Sequence, residues 1–284
     1  MNRVLVTGGG GFIGRRLVDV LRRRETVVLA PTRAEWNLAN GGDIPDWKVD
    51  HVFHLAGASG VPASWKDPLG FHLVNAQGTA KVAEFCRQRE CSLSYVSAYC
   101  YGVPSRLPIR ETDPVRPNNP YAFTKFQGEE SCRFYHEYFG LPVTIIRPFN
   151  VYGPGQSDAF VLSRIVRQAL DPAVAEIEVL DLLPRRDYVF VDDVVEALLR
   201  TAAVARHAVF NVGSGVSYSV EEAIHAVLEA SGVNKPYRSL EASRRQEIPD
   251  VVADIGSIDQ AVGWKPRVSF REGVRRLVEA ESRP

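Results

Sequence analysis

A glycine run sets the first constraint on this chain. Thr7-Gly8-Gly9-Gly10-Gly11-Phe12-Ile13-Gly14 follows the β-branched stretch Val4-Leu5-Val6. It opens a helical period in which Ile13, Leu17, Val20 and Leu21 recur on one face. Three of the glycines have geometric tasks: Gly8 permits a tight turn, Gly11 lets backbone approach a pyrophosphate, and Gly14 lets helix and strand pack closely. A helix beginning there presents N–H donors and the positive end of its dipole to phosphate. A second strand, Val27-Val28-Leu29, falls where a βαβ unit needs it. The segment predicts dinucleotide binding.

The same alternation continues. Val52-Phe53-His54-Leu55, Tyr95-Val96 and Val143-Thr144-Ile145-Ile146 read, with the first two runs, as buried parallel strands that are apolar on both faces. Helical periods lie between them at about 73–89 and 121–138, while Arg15, Arg16, Arg22, Arg23 and Arg24 take the solvated side of the first helix. This predicts an α/β fold, a doubly wound parallel sheet with right-handed crossovers. After Gly153-Pro154-Gly155 the texture changes, and a smaller C-terminal lobe is expected. The division is 1–150 for the dinucleotide-binding domain and 151–284 for the substrate lobe, with roughly 187–212 returning to the first sheet.

Charge excludes some partners. The 34 Lys+Arg balance 34 Asp+Glu, so nothing favours a nucleic acid or an acidic membrane. Four cysteines form no C-x-x-C pair, which argues against a zinc ribbon, any other metal centre or a disulfide framework. No leader precedes Val4, and no apolar run reaches the roughly 18 residues that span a bilayer. A soluble, cytoplasmic protein is expected.

A candidate catalytic group lies further on. Tyr121 and Lys125 are four residues apart on one predicted helix, hence on one face. Free Tyr titrates near 10, too high for proton transfer at neutral pH. An adjacent ammonium, together with an oxidised nicotinamide ring, is expected to stabilise the phenolate. Ser97 follows the fourth strand, at the carboxyl edge where such sheets bind ligands, and is read as the electrophilic partner of Tyr121, polarising the oxygen of the carbon that gains or loses hydride. Where strand two ends, an acidic residue would hold the ribose of NAD. Thr32-Arg33 stands there instead and suits the 2′-phosphate of NADP, although Glu35 is close by and NAD stays open.

With these segments the chain resembles the extended short-chain dehydrogenase/reductases of the NAD-dependent epimerase/dehydratase type. The resemblance rests on Thr7–Gly14, His54–Gly57, Asn75–Thr79, Ser97–Gly102, Tyr121–Lys125, Arg147–Gly153, Arg186–Asp193 and Asn211–Gly215, in that order. It implies a Rossmann sheet and a Ser97, Tyr121, Lys125 catalytic set. It places the cofactor on Gly8, Gly11, Phe12, Ile13, Gly14, Thr32, Arg33, Asn37, Leu38, Leu55, Ala56, Gly57, Asn75, Tyr121, Lys125 and Pro148. Asn37 departs from the family, which carries Asp before the apolar residue. The stretch Thr32–Leu38 is also similar to dTDP-4-dehydrorhamnose reductases. The substrate implied is a nucleotide-diphosphate sugar held by Ser97, Ala98, Tyr99, Asn150, Arg186 and Arg244, because paired guanidiniums suit a pyrophosphate. A homodimer through the helices near 73–89 and 121–138 is implied as well.

The family's dehydratases place Asp-Glu directly after the active-site Ser/Thr. Ala98 and Tyr99 stand there, so elimination of water is not expected. Two hydride chemistries remain at sugar C4: reduction of a 4-keto-6-deoxysugar with NADPH, or 4-epimerisation with tightly bound NAD. Arg33 and the short chain favour reduction. The pattern Ser97-Ala98-x-x-Tyr101-Gly102, shared with UDP-sugar epimerases, favours epimerisation. A catalytically silent NAD(P)-binding protein and a reductase of a non-sugar carbonyl are further alternatives.

Overall fold

The computed structural model describes residues 1–40, 44–204, 207–242 and 246–282. The chain runs β1 (Arg3–Thr7), α1 (Phe12–Arg23), β2 (Val27–Leu29), β3 (His51–His54), α2 (Val61–Lys66) and α3 (Pro68–Phe71). A π-helical stretch (His72–Gln77) leads into α4 (Gly78–Gln88), β4 (Ser92–Val96), α5 (Pro120–Phe139) and β5 (Val143–Pro148). Then come β6 (Asn150–Tyr152), α6 (Val161–Leu170), β7 (Ile177–Val179), β8 (Arg185–Phe190) and α7 (Val191–Thr201). Last are β9 (Ala208–Val212), β10 (Ser217–Ser219), α8 (Val220–Ser231), β11 (Tyr237–Ser239), α9 (Gly256–Val262) and α10 (Phe270–Glu281).

Six strands form an all-parallel sheet in the order β2-β1-β3-β4-β5-β9. From β1 the chain goes out to β2 and returns across β1 to β3. The reversal opens a crevice at the carboxyl ends of β1 and β3, the usual ligand position in such sheets. The glycine run, Leu55-Ala56-Gly57 and Ser97 all follow strands that end on this edge. In α1 Leu17 and Leu21 are buried as expected, Ile13 and Val20 only partly, and Val18 is buried as well, while Arg15, Arg16, Arg22, Arg23 and Arg24 are exposed. Each buried aliphatic side chain contributes about 1.5–3 kcal/mol.

Two expectations need correction. β2 is not a buried strand: it is a three-residue edge, and Val27 is 56% exposed. Nor does 187–190 rejoin the large sheet. β8 pairs antiparallel with β10 and parallel with β6 in a separate three-stranded sheet, and only β9 returns, beside β5. Arg185 and Arg186 at the start of β8 are half-buried, and a strand covered on both faces has no place for two guanidiniums. The second sheet packs on α6, α8 and α10 through Tyr152, Phe190, Ile165, Ile224, Phe270 and Leu277. α8 is bounded by a Ser219/Glu222 capping box and by Gly232 at φ +66°.

Two histidines in β3 are buried inside hydrogen-bonded pairs. His51 contacts Ser92 Oγ (2.6 Å) and Ser94 Oγ (2.9 Å), and His54 contacts Thr7 Oγ1 (2.6 Å) and Thr79 Oγ1 (3.0 Å). Burial pushes both down to about 3. Below pH 6.5 the unfolded chain takes up protons that these folded rings refuse, so stability falls as pH drops from about 6.5 toward 3. The slope approaches about 1.4 kcal/mol per pH unit for each ring. Denaturant midpoints measured at pH 7 and pH 5 should show that loss, and His54→Gln should reduce it.

Candidate active site

The glycine run makes a cradle that side chains would fill. Gly8 sits at φ +73°, and a Cβ there would lie 2.6 Å from Ala56 N; one on Gly14 would lie 2.1 Å from Gly8 O. Gly11 N–H closes the turn onto Gly8 O at 2.9 Å. Gly11 caps α1 without a side chain, the first turn of α1 holds no acid, and nothing lies within 4 Å of a Cβ built on Gly10. The helix end, with half-buried Phe12 and Ile13, is therefore open to an anion. This fits the pyrophosphate of a dinucleotide.

The end of β2 settles how its charges are disposed. Thr32 N–H donates to Glu35 Oε2 at 2.7 Å, and Glu35 N–H donates back to Thr32 Oγ1 at 3.4 Å. Hydrogen bonds from Thr32, its backbone N–H first, hold the Glu35 carboxyl below its usual value. Arg33 is exposed and has no ion-pair partner among the described residues. Leu38 is buried against Gly78, and the Asn37 carbonyl accepts from Lys81 Nζ at 3.4 Å. Asn75, in the π-helical stretch, accepts from Ala58 N–H (2.8 Å) and donates to Ala58 O (3.1 Å) and Thr124 Oγ1 (3.0 Å). Its amide fixes the loop after β3 against α5. Pro148 is buried at the end of β5.

α5 starts at Asn119, whose side chain accepts from Ala122 N–H at 2.9 Å, with Pro120 in the first position. This cap puts Tyr121 in the first turn and Lys125 one turn deeper. The Tyr121 ring meets Phe71 edge-on at 6.3 Å, and its hydroxyl makes no hydrogen bond among the described residues. Lys125 is buried, with Nζ 4.5 Å from the centre of the Tyr95 ring; a Cβ on Gly57 would lie 3.6 Å from it. Burial brings the ammonium down to about 8 and pushes the phenol up. The expected lowering of Tyr121 involves the nicotinamide ring as well as the ammonium; within the protein itself burial pushes the phenol up.

Ser97 is anchored by its N–H to Ile146 O at 2.9 Å. Its hydroxyl donates to Glu129 Oε1 at 2.5 Å and lies 3.8 Å from Cys100 Sγ. Glu129 is in turn gripped by Arg147, with Nε at 2.9 Å and Nη2 at 2.6 Å from its two oxygens, and both residues are buried. Arg147 Nη1 donates to the Tyr101 hydroxyl (2.8 Å), which donates to Asn211 Oδ1 (2.7 Å). Sequence reasoning assigned no role to Glu129 or Arg147. The available signals were a carboxylate four residues beyond Lys125 on the same helix and an arginine ending an apolar strand.

The residues expected to hold the substrate fall in two groups. Asn150 pairs in register with Tyr188 on β8, two residues from Arg186. Arg186 donates to the carbonyls of Arg185 and Ile248 (2.7 Å each) and pairs with Glu247. A narrow crevice of about 40 Å³ lies beside it, walled by Val161, Val179, Leu180, Pro184 and Tyr188. Tyr99 donates to Gly102 O at 2.6 Å and packs on Tyr101 and Phe149, whereas Ala98 is buried against Cys100 and Ala122. Arg244 lies outside the described residues. No group of three metal-ligating side chains and no membrane-spanning helix occur among the described residues.

Known proteins share this architecture. A GDP-6-deoxy-D-mannose reductase of Pseudomonas aeruginosa is 32% identical over 97% of this chain and 96% of its own length. A UDP-glucose 4-epimerase of Mycolicibacterium smegmatis is 33% identical over 98% and 97%. The structure of RMD from Pseudomonas aeruginosa complexed with NADPH superposes with a TM-score of 0.90 at 30% identity, covering 99% of both chains. The model of the NAD dependent epimerase/dehydratase family matches residues 4–213. With the glycine cradle, the Ser97, Tyr121 and Lys125 set and this match over most of its length, the chain belongs to the NAD dependent epimerase/dehydratase family.

Proposed function

We propose that the protein reduces a nucleoside-diphosphate 4-keto-6-deoxysugar at C4 with NADPH. The observation that carries this is at the end of β2, where Glu35 is turned onto Thr32 and Arg33 is left exposed and unpaired among the described residues. An unengaged guanidinium suits a 2′-phosphate. The cofactor supplies hydride when bound. Gly8, Gly11 and Gly14 would hold its pyrophosphate, and Gly57 and Lys125 would border its ribose. Tyr121 is assigned to give a proton to the oxygen gaining negative charge; burial pushes its phenol up, so the transfer relies on the strong basicity of the developing alkoxide. Arg186 and Asn150 are assigned to the diphosphate. The reductase relative, at 32% identity, supports the same reading.

A second reading, 4-epimerisation with retained NAD, is favoured by the equally similar UDP-glucose 4-epimerase. The test is to supply NADPH with GDP- and dTDP-4-keto-6-deoxysugars, and UDP-glucose separately. Stoichiometric NADPH consumption supports reduction. Interconversion of UDP-glucose and UDP-galactose without net cofactor consumption supports the epimerase. Arg33→Ala should raise the Michaelis constant for NADPH about tenfold or more and leave that for NADH within about twofold; equal effects discard the 2′-phosphate assignment.

A homodimer is supported by the outer face of α5, where Phe123, Phe134 and Tyr138 are 51%, 50% and 70% exposed. Light scattering should return twice the 31.5 kDa chain mass, and Phe134→Glu should return the single mass.

A further inference from the structure

We propose that Glu129 is a positioning residue that sets the direction of the Ser97 hydroxyl. Ser97 has one proton and two lone pairs. Glu129, held by two donors of the Arg147 guanidinium, is an acceptor only, so the short contact at 2.5 Å has a single polarity: Ser97 donates and Glu129 accepts. The lone pairs of Ser97 are then what faces the reacting centre. Ser97 receives a hydrogen bond there from the hydroxyl that forms at the reacting carbon as Tyr121 gives up its proton. It does not polarise the ketone with its own proton unless it leaves a charged acceptor for a neutral one.

The surroundings enforce this arrangement. Ser97, Glu129 and Arg147 are respectively 2%, 3% and 5% exposed, so water does not compete for the hydroxyl. Arg147 is fixed from its other side by the Tyr101 hydroxyl at 2.8 Å, and Tyr101 by Asn211 at 2.7 Å. The chain of bonds ties the end of β4 to α5, β5 and β9. Ser97 thus carries an orientation set by elements on which no ligand has to act.

Glu129→Gln tests the polarity. Arg147 still presents Nε and Nη2, so the new amide must turn its oxygen to them and its NH2 to Ser97. The Ser97 hydroxyl then accepts, and its proton swings toward the crevice. With the best sugar substrate, kcat should fall about 100-fold while KM stays within about threefold. The effect must pass through Ser97: Ser97→Ala/Glu129→Gln should be no slower than Ser97→Ala alone, within about twofold. Glu129→Asp keeps the charge and the arginine pair but withdraws the oxygen. It serves if the Gln variant does not fold, with a smaller loss that is likewise absent in the Ser97→Ala background.

A pair that merely staples α5 to β5 would lower Tm, and its cost in kcat would multiply with that of Ser97→Ala. Multiplying effects, or an unchanged kcat in both Glu129 variants, would overturn the proposal. The inference rests on Ser97 facing the reacting carbon of a sugar. Wild-type protein that turns over none of the sugars overturns that reading and this one together. Wild-type turnover with independent mutational effects overturns this one alone.

Discussion

Tyr121→Phe should lower kcat by about a thousandfold or more and leave NADPH affinity within about twofold. The substitution removes one oxygen that has no hydrogen-bond partner among the described residues, and it keeps the ring that meets Phe71 edge-on. Fold and Tm should therefore be unchanged, and the loss should appear in the chemical step. No neighbour replaces the proton: Lys125 Nζ lies over the Tyr95 ring, and the Ser97 proton is committed to Glu129. Burial pushes the phenol up, so Tyr121 holds its proton until the ketone oxygen gains negative charge. Lys125 loses its charge around pH 8, so the rate of reduction should decline above that pH. Surviving turnover in the Phe variant would mean that another group carries the proton.

Asp187→Ala should produce the largest loss of stability. The fully buried Asp187 carboxylate accepts from Ser214 N–H (2.5 Å), Ser214 Oγ (2.7 Å), Gly215 N–H (3.0 Å) and Ala253 N–H (3.0 Å). It gathers β8, the turn after β9 and the segment returning at residue 253 around one charge. The packing is tight enough that a Cβ on Gly213 would lie 2.6 Å from Asp187 Oδ2. Truncation strands three backbone donors, at about 1–3 kcal/mol each where they stay buried, so a loss of about 4 kcal/mol is expected. In a chain of this size that lowers Tm by about 10 °C. Arg186, the preceding residue, should lose its placement, so KM for the nucleotide sugar should rise more than kcat falls. A Tm within about 1 °C of wild type would show that water satisfies these donors instead.

What the sequence disclosed followed from how local each requirement was. The glycine cradle was legible because a turn at φ +73° and the approach of Gly14 to Gly8 depend on a few consecutive residues. Tyr121 and Lys125 were legible because one helical turn carries both. The exposure of β2 and the departure of β8 were not, since each depends on which distant strand it pairs with. The Arg186–Asp193 segment was recognised as a unit, yet the task of Asp187 depends on residues 214, 215 and 253. The raised phenol was hidden for a similar reason. Spacing revealed the ammonium, but only the packed structure shows how far burial desolvates Tyr121. Glu129 and Arg147 meet across 18 residues, and a balanced ion pair leaves no trace in composition.

The account depends on hydride reaching a sugar carbon beside Tyr121. The most direct measurement uses NADPH deuterated at the transferable position of the nicotinamide, a GDP-4-keto-6-deoxysugar and NMR of the product. One deuterium at C4 of the sugar per NADPH consumed, lost when Tyr121→Phe replaces wild type, is the predicted result. A reduced product without deuterium at C4, or a 4-keto sugar left unreduced with NADPH unconsumed, would contradict it.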